Sequence, residues 1–391
     1  MITWRSAVVV SHGRRWPGAA ELEATLEEGV GGFAAGASVR ALAYPGLVGL
    51  PAVGERVLLN VTALARGLGT GGYAMVVALA DTLPEDPAPG PGHLVKARYT
   101  PLQEMVLGVD DQESAHHDVL RDADDLAGLP VVVADLHSAL PAIIAGARHA
   151  AEQAGRPAPR VAYVMTDGGA LPAWFSQAVA GLRAAGWIEA CVTTGQAFGG
   201  DLEAVTVHTG LLAARHVVGA DLVVVAQGPG NLGTGTRWGF SGVAAGEAVN
   251  AAATLHGAPV ASLRVSGADP RDRHLGVSHH SLTAYGRVAL APADLVVPVF
   301  DPALGSAGPA TGLSFAELGQ RVREQASALV SPHGRHRLVQ VPAHAALLAA
   351  LASSPVRLST MGRGLDADPA AFLAAAAAGA HAEHLAAGRV G

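Results

Sequence analysis

The run Leu222-Val-Val-Val-Ala226, followed by Gln227-Gly-Pro-Gly-Asn-Leu-Gly-Thr-Gly-Thr236, decides the fold class of this chain. A short Val-rich segment that ends in glycines is typical of a buried parallel strand, and the Ala-rich, helix-like residues 242–255 follow it. A further apolar segment, residues 260–265, comes next. A strand, a helix and a strand in this order predict a βαβ unit in a parallel sheet.

The same alternation continues through the chain from residue 128 onward. Strands are predicted at residues 131–134, 161–165, 190–193, 222–226, 260–265, 295–299 and 338–341. Helices are predicted between and after them, at residues 139–154, 172–185, 210–218, 242–255, 315–329, 343–353 and 369–387. Residues 128–391 are therefore predicted to form an α/β domain, a mostly parallel sheet with flanking helices in Rossmann-like layers.

The first 115 residues have a different pattern. Short segments of alternating hydrophobicity are separated by glycine and proline at the spacing of a small barrel or sandwich. The strand candidates are residues 4–11, 21–26, 39–44, 56–60, 73–79, 93–99 and 103–109. Residues 1–115 are therefore predicted to form a small β-barrel or sandwich-like module, which an acidic connection joins to the α/β domain.

Composition argues against several classes of function. The 391 residues are 50% hydrophobic and 15% charged, so the chain can bury large cores. The net charge is −7 and no basic run forms, which argues against nucleic-acid binding. No apolar stretch approaches the ~20 residues of a membrane span. The first residues lack a secretion signal and Cys191 is the single cysteine, so a cytoplasmic chain without an internal disulfide is expected.

Polar or Gly-rich residues follow five of the predicted strands. Since ligands of open parallel sheets bind outside the carboxyl ends of the strands, these residues are expected to line one pocket. Loops are polar in most proteins, which explains any one cluster but explains five together less well. In chain order, the clusters contain His137 and Ser138, then Asp167 and Gly168, then Gln196, then the glycine loop, and finally His274, His279 and His280.

The glycine loop matches G-x-G-x-x-G at Gly228, Gly230 and Gly233. It continues, however, where a dinucleotide fold would begin its helix, and the next strand does not end in an acidic residue. A P-loop is excluded because no Gly-Lys-Ser/Thr follows. Backbone N–H groups at a helix N-terminus suit a phosphate or carboxylate, and a tightly packed glycine turn is the alternative. The predicted ligand-binding residues are Gly228, Gly230, Asn231, Gly233, Thr234, Gly235, Arg237, Gly168, Gln196 and Ser138.

The histidines of the last cluster can serve two kinds of chemistry. Imidazoles and carboxylates act as general acids and bases near neutral pH, and they also bind divalent metals. No fixed-spacing metal motif is present, and with 17 histidines some adjacent pairs arise by chance. Acid–base chemistry is therefore ranked first and no residue is assigned to a metal. The predicted catalytic residues are His279, His280, Asp167 and His137.

Several strings of residues are distinctive in combination. They are Val57-Leu-Leu-Asn-Val-Thr62, Gly67-Leu-Gly-Thr-Gly-Gly-Tyr73, Leu136-His-Ser138, Gly195-Gln-Ala-Phe-Gly-Gly-Asp201, the stretch 227–236 and Arg273-His-Leu-Gly-Val-Ser-His-His280. Together they resemble an uncharacterised bacterial family catalogued as domain of unknown function 3866. The resemblance extends from the first residues to about residue 300 or beyond and implies one shared architecture. It implies no activity, cofactor or catalytic residue.

Three functions remain open from the sequence. The first is an enzyme that binds a small anionic metabolite, such as a phosphorylated one, at the strand ends and uses histidine acid–base chemistry. The second is a metal-dependent hydrolase that uses His137, Asp167, His274, His279 and His280. The third is a non-catalytic protein that senses a ligand or binds a partner. The sequence identifies no cofactor, and a homodimer is the default expectation for an α/β protein of this size.

Overall fold

The structure is a computed structural model that describes residues 1–69, 71–308, 310–330 and 335–389. The chain divides into two compact units. The first contains Met1–Val106 and Trp174–Ala180, and the second contains Leu107–Ala173 and Gly181–Gly391. The segment Trp174–Ala180 therefore belongs to the first unit, although the residues on either side of it belong to the second.

A closed five-stranded barrel forms the body of the first unit, which confirms the predicted β-barrel. In chain order the elements are β1 (Trp4–Trp16), β2 (Ala19–Leu26), β3 (Ser38–Ala43), α1 (Pro45–Val48), β4 (Arg56–Asn60) and β5 (Ala74–Leu79). A hairpin of β6 (Leu94–Lys96) and β7 (Glu104–Val106) follows. Around the barrel the order is β1-β2-β3-β5-β4, and β3 and β5 are parallel. This strand order, closed by pairing of β4 with β1, is the arrangement of the OB-fold.

Alternation along the barrel strands builds its core. Leu22, Ala24 and Leu26 point inward from β2, and Val57 and Leu59 point inward from β4. All five side chains are at most 2% exposed. The period of two in the sequence is therefore the period of a half-buried strand, with one face in the core.

A second, smaller apolar cluster lies outside this core, where Leu42, Tyr44 and Tyr73 pack with Trp174. The Tyr44 and Trp174 rings are tilted, with centroids 6.0 Å apart. The indole Nε1 of Trp16 donates a hydrogen bond of 2.6 Å to the carbonyl oxygen of Trp174. Aromatic packing and this hydrogen bond explain why the segment Trp174–Ala180 belongs with the barrel.

Within the described residues, an eight-stranded parallel sheet is the centre of the second unit, as predicted. Its strands are β8 (Pro130–Val133), β9 (Val161–Thr166), β10 (Ala190–Thr193), β11 (Leu202–Glu203), β12 (Leu222–Gln227), β13 (Ala258–Ser262), β16 (Asp294–Phe300) and β19 (Arg337–Ala343). Short antiparallel pairs join β14 (Val265–Ser266) to β15 (Gly276–Val277), β17 (Ser306–Gly308) to β18 (Leu313–Ser314), and β20 (Ser359–Thr360) to β21 (Arg363–Gly364).

Helices connect these strands. They are α2 (His117–Leu120), α3 (Leu140–Gln153), α4 (Gln177–Ala184), α5 (Val207–His216), α6 (Ala244–Thr254), α7 (His279–Thr283), α8 (Phe315–Ser327), α9 (Ala345–Ala352) and α10 (Pro369–Gly388). Helix α10 packs closely on α3: a Cβ added at Gly146 would lie 1.9 Å from the carbonyl oxygen of Ala376, and one at Gly379 would lie 1.8 Å from that of Ile143. Among the described helices, none combines the length and apolar character that crossing a membrane requires.

The strand order places a topological switch point at the centre of the sheet. The order is β11-β10-β9-β12-β8-β13-β16-β19. The chain leaves β8 toward β9 on one side, and it leaves β12 toward β13 on the other. The neighbouring strands β12 and β8 therefore send their connections in opposite directions. A crevice opens at the carboxyl ends of such strands, and this is where open α/β sheets bind ligands.

Candidate functional site

Two buried polar side chains lie at the switch point. Asp135 follows β8 and is 3% exposed, while Gln227 ends β12 and is 4% exposed. The Gln227 amide Nε2 donates to the backbone oxygen of Asp135 at 2.8 Å and to Asn231 Oδ1 at 3.0 Å. These bonds fix the orientation of the amide. The Gln227 Oε1 and the Asp135 Oδ2 have no hydrogen-bond partner, which is unusual for buried oxygens.

Asp135 lies between two small cavities of the second unit. One has a volume of about 30 Å³, and Arg264, Ser138 and Thr360 are among the residues that line it. The other has a volume of about 10 Å³, and Gln227 lines it together with Asp135. Burial raises the pKa of Asp135, although the charge of Arg264, whose Nη1 is 3.8 Å from Asp135 Oδ2, opposes the rise. Burial therefore favours the protonated form of this carboxyl group more than in an exposed aspartate.

Three histidine rings pack together after β13. His274 precedes β15, and His279 and His280 are the first residues of α7. The ring centroid of His274 lies 4.9 Å from that of His279 and 5.0 Å from that of His280. The centroids of His279 and His280 are 4.4 Å apart. Phe240 stacks on His280 with the centroids 3.8 Å apart and the planes within 3°. The structure thus brings together His279 and His280, which were predicted to be catalytic.

Arginine side chains donate to two of these rings. Arg264 Nη1 lies 3.1 Å from His280 Nδ1, and Arg273 Nε donates to His274 Nε2 at 3.4 Å. A guanidinium has no acceptor, so both ring nitrogens must accept. His280 therefore carries its proton on Nε2, and His274 donates from Nδ1 to the Ser278 hydroxyl at 2.8 Å. The Nε2 of His279 is buried without a hydrogen-bond partner.

Burial lowers the pKa of all three imidazoles, and the positive charge of Arg264 lowers it further. The pKa is about 4 for His274 and about 3 for His280, and that of His279 lies below its usual 6.5. At neutral pH the cluster therefore consists of uncharged rings beside positively charged guanidinium groups. Such a cluster is suited to receive negative charge, because an anion would be attracted by the arginines.

The same three rings could also bind a metal ion through their nitrogens. Each offers one nitrogen, and these nitrogens lie within 4.8 Å of one another. A divalent cation would have to take lone pairs that now accept from Arg264 and Arg273, and both guanidiniums would repel it. The electrostatics of the cluster thus favour an anion over a metal.

The glycine loop between β12 and α6 is partly closed on itself. The N–H of Thr234 donates to the carbonyl oxygen of Gly239, and the N–H of Gly239 donates to the Thr236 hydroxyl. Gly230 and Gly235 adopt positive φ angles of 90° and 79°. These turns direct the loop toward the histidine cluster, because a Cβ at Gly235 would lie 3.8 Å from Arg273 Nη2. The remaining predicted loop residues are Gly228, at the base of the loop, and Asn231, Gly233 and the exposed Arg237.

The glycines at the base of this loop have a packing role. A Cβ at Gly169 would lie 2.1 Å from the carbonyl oxygen of Gly228, and one at Gly228 would lie 2.4 Å from that of Ala170. A Cβ at Gly168 would lie 2.6 Å from Gln227 Oε1. The close approach of two strand-end loops accounts for these glycines without a ligand.

The remaining predicted site residues form hydrogen bonds elsewhere along the carboxyl ends of the strands. The carboxylate of Asp167 accepts from the N–H of Gln196 at 2.8 Å. His137 Nδ1 lies 3.0 Å from the hydroxyl of Tyr163, and burial lowers the pKa of His137 to about 4. The Ser138 hydroxyl donates to Thr360 Oγ1 at 3.0 Å. Each of these bonds links two different segments of the second unit, and none of the three involves a residue of the histidine cluster.

Asp135 and Gln227 stood in the predicted strand-end clusters, but the sequence assigned no role to them or to Arg264. Each stands within two residues of the end of β8, β12 or β13, so its position alone placed it at the correct edge of the sheet. Burial and the missing hydrogen bonds distinguish these side chains from ordinary loop residues, and both depend on tertiary packing.

Comparison with known proteins adds a family. A family model described as "Protein of unknown function (DUF3866)" matches residues 40–379. No curated protein matches the chain at a significant level, and no solved structure does. The match confirms the resemblance seen in the motifs, begins within the barrel and continues into α10. The chain belongs to this family of proteins of unknown function, domain of unknown function 3866.

Proposed function

We propose that this chain is an enzyme that binds a small anionic metabolite at the carboxyl ends of β8, β12 and β13 and uses histidine acid–base chemistry. The observation that carries the proposal is the cluster of three neutral imidazoles with the guanidiniums of Arg264 and Arg273 directed at them. Positive charge beside uncharged rings favours an anion such as a phosphate or carboxylate, and the switch point is where such a ligand binds.

The glycine loop and Arg237 would complete the anion site. Gly235 lies beside Arg273, so the loop brings its backbone N–H groups close to the same charge. Arg237 is exposed on this loop and would add a further positive charge once a ligand is bound. In this proposal the loop and the arginines bind the anion, and the histidines carry out the proton transfer.

His279 is the proposed acid–base residue. Its Nε2 is buried and lacks a partner, whereas the acceptor nitrogens of His274 and His280 already receive hydrogen bonds from arginines. In the proposed step, neutral His279 takes a proton from the substrate at Nε2 and becomes an imidazolium beside the bound anion. The anion stabilises that charge, so the lowered pKa of His279 would rise when the anion binds.

The binding part of the proposal is tested with inorganic phosphate and citrate as probes. We expect either anion to shift the imidazole ¹⁵N resonances of the three histidines and to raise their pKa values. Arg273→Gln should weaken the response. Arg215→Gln is the matched control, because Arg215 is in the last turn of α5, at the opposite edge of the sheet from the strand carboxyl ends. Imidazole resonances that respond to neither anion would refute the proposed site.

The catalytic part is tested by incubating the protein with a metabolite extract and following its components by mass spectrometry. We expect the wild-type chain to consume at least one anionic component that the His279→Gln variant leaves unchanged. Native mass spectrometry of the purified protein identifies any metabolite it retains. Identical extracts after treatment with wild type and variant would contradict the assignment of His279.

A metal-dependent hydrolase is the second candidate, and the proximity of the three histidine nitrogens favours it. His137 and Asp167, which the sequence added to this ligand set, are hydrogen-bonded elsewhere. If the protein is such a hydrolase, we expect one divalent ion per chain after growth in metal-supplemented medium. The His279→Ala variant should lose that ion. Metal analysis therefore separates the two candidates.

A further inference from the structure

Asp135 and Gln227 present two hydrogen-bond acceptors to one cavity. Both side chains line the cavity of about 10 Å³ at the switch point. Asp135 Oδ2 and Gln227 Oε1 are buried without a hydrogen-bond partner, since Arg264 Nη1 and His280 Nδ1 both lie 3.8 Å from Asp135 Oδ2, beyond hydrogen-bond distance. Leaving such an acceptor unsatisfied costs about 1–3 kcal/mol, so two of them in one place indicate a donor that the protein does not supply.

The orientation of Gln227 shows that the missing partner is a donor. Its Nε2 is fully used, because it donates to the backbone oxygen of Asp135 and to Asn231 Oδ1. The Asn231 Oδ1 also accepts from the Ser241 hydroxyl, which lines the same cavity. The amide therefore cannot be rotated to offer its N–H to the cavity without breaking this network.

The size and surroundings of the cavity limit the group that it accepts. A space of about 10 Å³ holds one heavy atom with its hydrogens, such as a water, a hydroxyl or an ammonium group. Asp135 also lines the neighbouring cavity together with Arg264, whose Nη1 is 3.8 Å from Asp135 Oδ2. A donor group bound by Asp135 would thus lie directly beside the positive charge of Arg264.

We propose that Asp135 and Gln227 bind a hydroxyl or ammonium group that the ligand carries on the atom next to its anionic group. This inference rests on the proposed function, since Arg264 must hold the anion. It narrows the ligand to the class of 2-hydroxy or 2-amino acids and their analogues. A ligand with an anionic group alone would leave the two acceptors unsatisfied.

Three small acids test the inference directly: acetate, glycolate and glycine share a carboxylate and differ only in the adjacent group. Dissociation constants come from NMR titration of the Gln227 side-chain amide and the three imidazoles. For the wild-type chain we expect glycolate or glycine to bind roughly tenfold tighter than acetate. Whichever of the two binds tighter identifies the group as a hydroxyl or an ammonium.

Two variants assign the preference to these residues. Asp135→Asn replaces an acceptor with a donor at nearly constant shape, and Gly168→Ala places a Cβ 2.6 Å from Gln227 Oε1. Both should remove the preference while acetate still binds. Asp221→Asn is the control, because Asp221 directly precedes β12 at the opposite edge of the sheet. It should keep the preference.

The outcomes separate this inference from the function on which it rests. Equal affinities for the three acids, together with a response to phosphate, would overturn the donor site and leave the anion site standing. A preference that survives Asp135→Asn would also overturn it. Absence of any response, to phosphate and to all three acids, would refute both.

Discussion

Arg264 Nη1 lies 3.1 Å from His280 Nδ1, and this contact fixes the position of the proton on His280. A guanidinium only donates, so the neutral ring must hold its hydrogen on Nε2. Arg264 follows β13, and its backbone N–H donates to the Ser281 hydroxyl of α7 at 2.9 Å. One residue thus connects a strand end to the helix that carries two of the histidines, and its charge adds to the effect of burial in lowering their pKa values.

Removing this charge should change the titration of the histidines. In Arg264→Met we expect the pKa of His280 to rise from about 3 toward 6.5 without reaching it, because burial remains its first cause. The pKa of His274 should rise in the same direction. A ¹⁵N NMR pH titration measures both, with Arg215→Gln as control. An unchanged pKa of His280 would show that the charge of Arg264 does not lower it.

The buried neutral histidines should make stability fall in mild acid. A histidine whose folded pKa is lowered contributes stability above its unfolded pKa of 6.5, and this stability is lost as the pH falls toward the folded value. For His274 the window is pH 6.5 to about 4. We expect chemical denaturation across this range to show that the free energy of unfolding depends less on pH for His274→Asn than for the wild type. The exposed His208→Gln variant should keep the wild-type slope.

The buried Asp135 and the partly buried Asp294 should respond oppositely to the same substitution. Burial raises the pKa of Asp135, so its charge destabilises the folded state increasingly as the pH rises above 3.8. Asp135→Asn should therefore raise the free energy of unfolding at pH 8. Although burial opposes it, hydrogen bonds from His381 and Arg337 lower the pKa of Asp294 to about 2.

Asp294→Asn should consequently be destabilising at pH 8, where the charge of Asp294 stabilises the fold. Urea denaturation of the two variants and the wild type at pH 8 shows whether each substitution raises or lowers the free energy of unfolding. A lower stability for Asp135→Asn would mean that the attraction of Arg264, whose Nη1 is 3.8 Å from Asp135 Oδ2, outweighs the cost of burying the charge.

Most of the fold could be predicted because local patterns and tertiary packing agree. The strand predicted at residues 56–60 is β4, Arg56–Asn60, since Val57 and Leu59 alternate into the core. The helix predicted at residues 369–387 is α10, Pro369–Gly388, since proline starts it and helix-forming alanines fill it. Where the pattern of apolar residues is compatible with only one type of secondary structure, the sequence is sufficient to predict that element.

Several predicted boundaries differ from the structure, among them the end of β1 at Trp16 and the short β6 and β7, and two cases show how tertiary contacts override the local signal. The helix predicted from residue 172 begins as α4 only at Gln177, because Trp174 is held by the barrel and its carbonyl oxygen accepts from Trp16. The strand predicted at residues 260–265 ends as β13 at Ser262, because Arg264 instead bonds the hydroxyl of Ser281. Neither partner is near in sequence.

The candidate site was predictable in its location and less so in its composition. The strand-end rule selected His279 and His280, which the structure packs together. It selected equally His137, whose ring bonds to the buried Tyr163. The rule locates residues on an edge of the sheet, whereas the hydrogen bonds among them depend on tertiary packing.

The contact between α3 and α10 should be sensitive to a single methyl group. Gly379→Ala would place a Cβ 1.8 Å from the carbonyl oxygen of Ile143, and a backbone atom cannot move aside as a side chain can. We expect a loss of about 3 kcal/mol or more in the free energy of unfolding. Gly388→Ala, at the end of the same helix, has no atom within 4 Å of the added Cβ and should be neutral. Equal stabilities would contradict the close packing.

The barrel should depend on Trp174, although this residue is distant in sequence. Trp174 packs against Tyr44, and its carbonyl oxygen accepts from the indole of Trp16. Trp174→Ala should lower the stability of the first unit by about 2–4 kcal/mol, since it removes a large aromatic contact. Calorimetry or urea denaturation followed by tryptophan fluorescence measures the loss. Trp238→Ala is the matched control, because Trp238 is 56% exposed.

A second variant tests the same contact from the other side. A Cβ at Gly18 would lie 2.2 Å from the Trp174 ring, and Gly18 has a φ of 79°, which disfavours any other residue. Gly18→Ala should therefore destabilise the barrel in the wild type. The steric part of this loss should disappear when Trp174 is already alanine, so the double variant should be more stable than additivity predicts. Strictly additive losses would mean that only the backbone of Gly18 matters and that Trp174 is not seated against it.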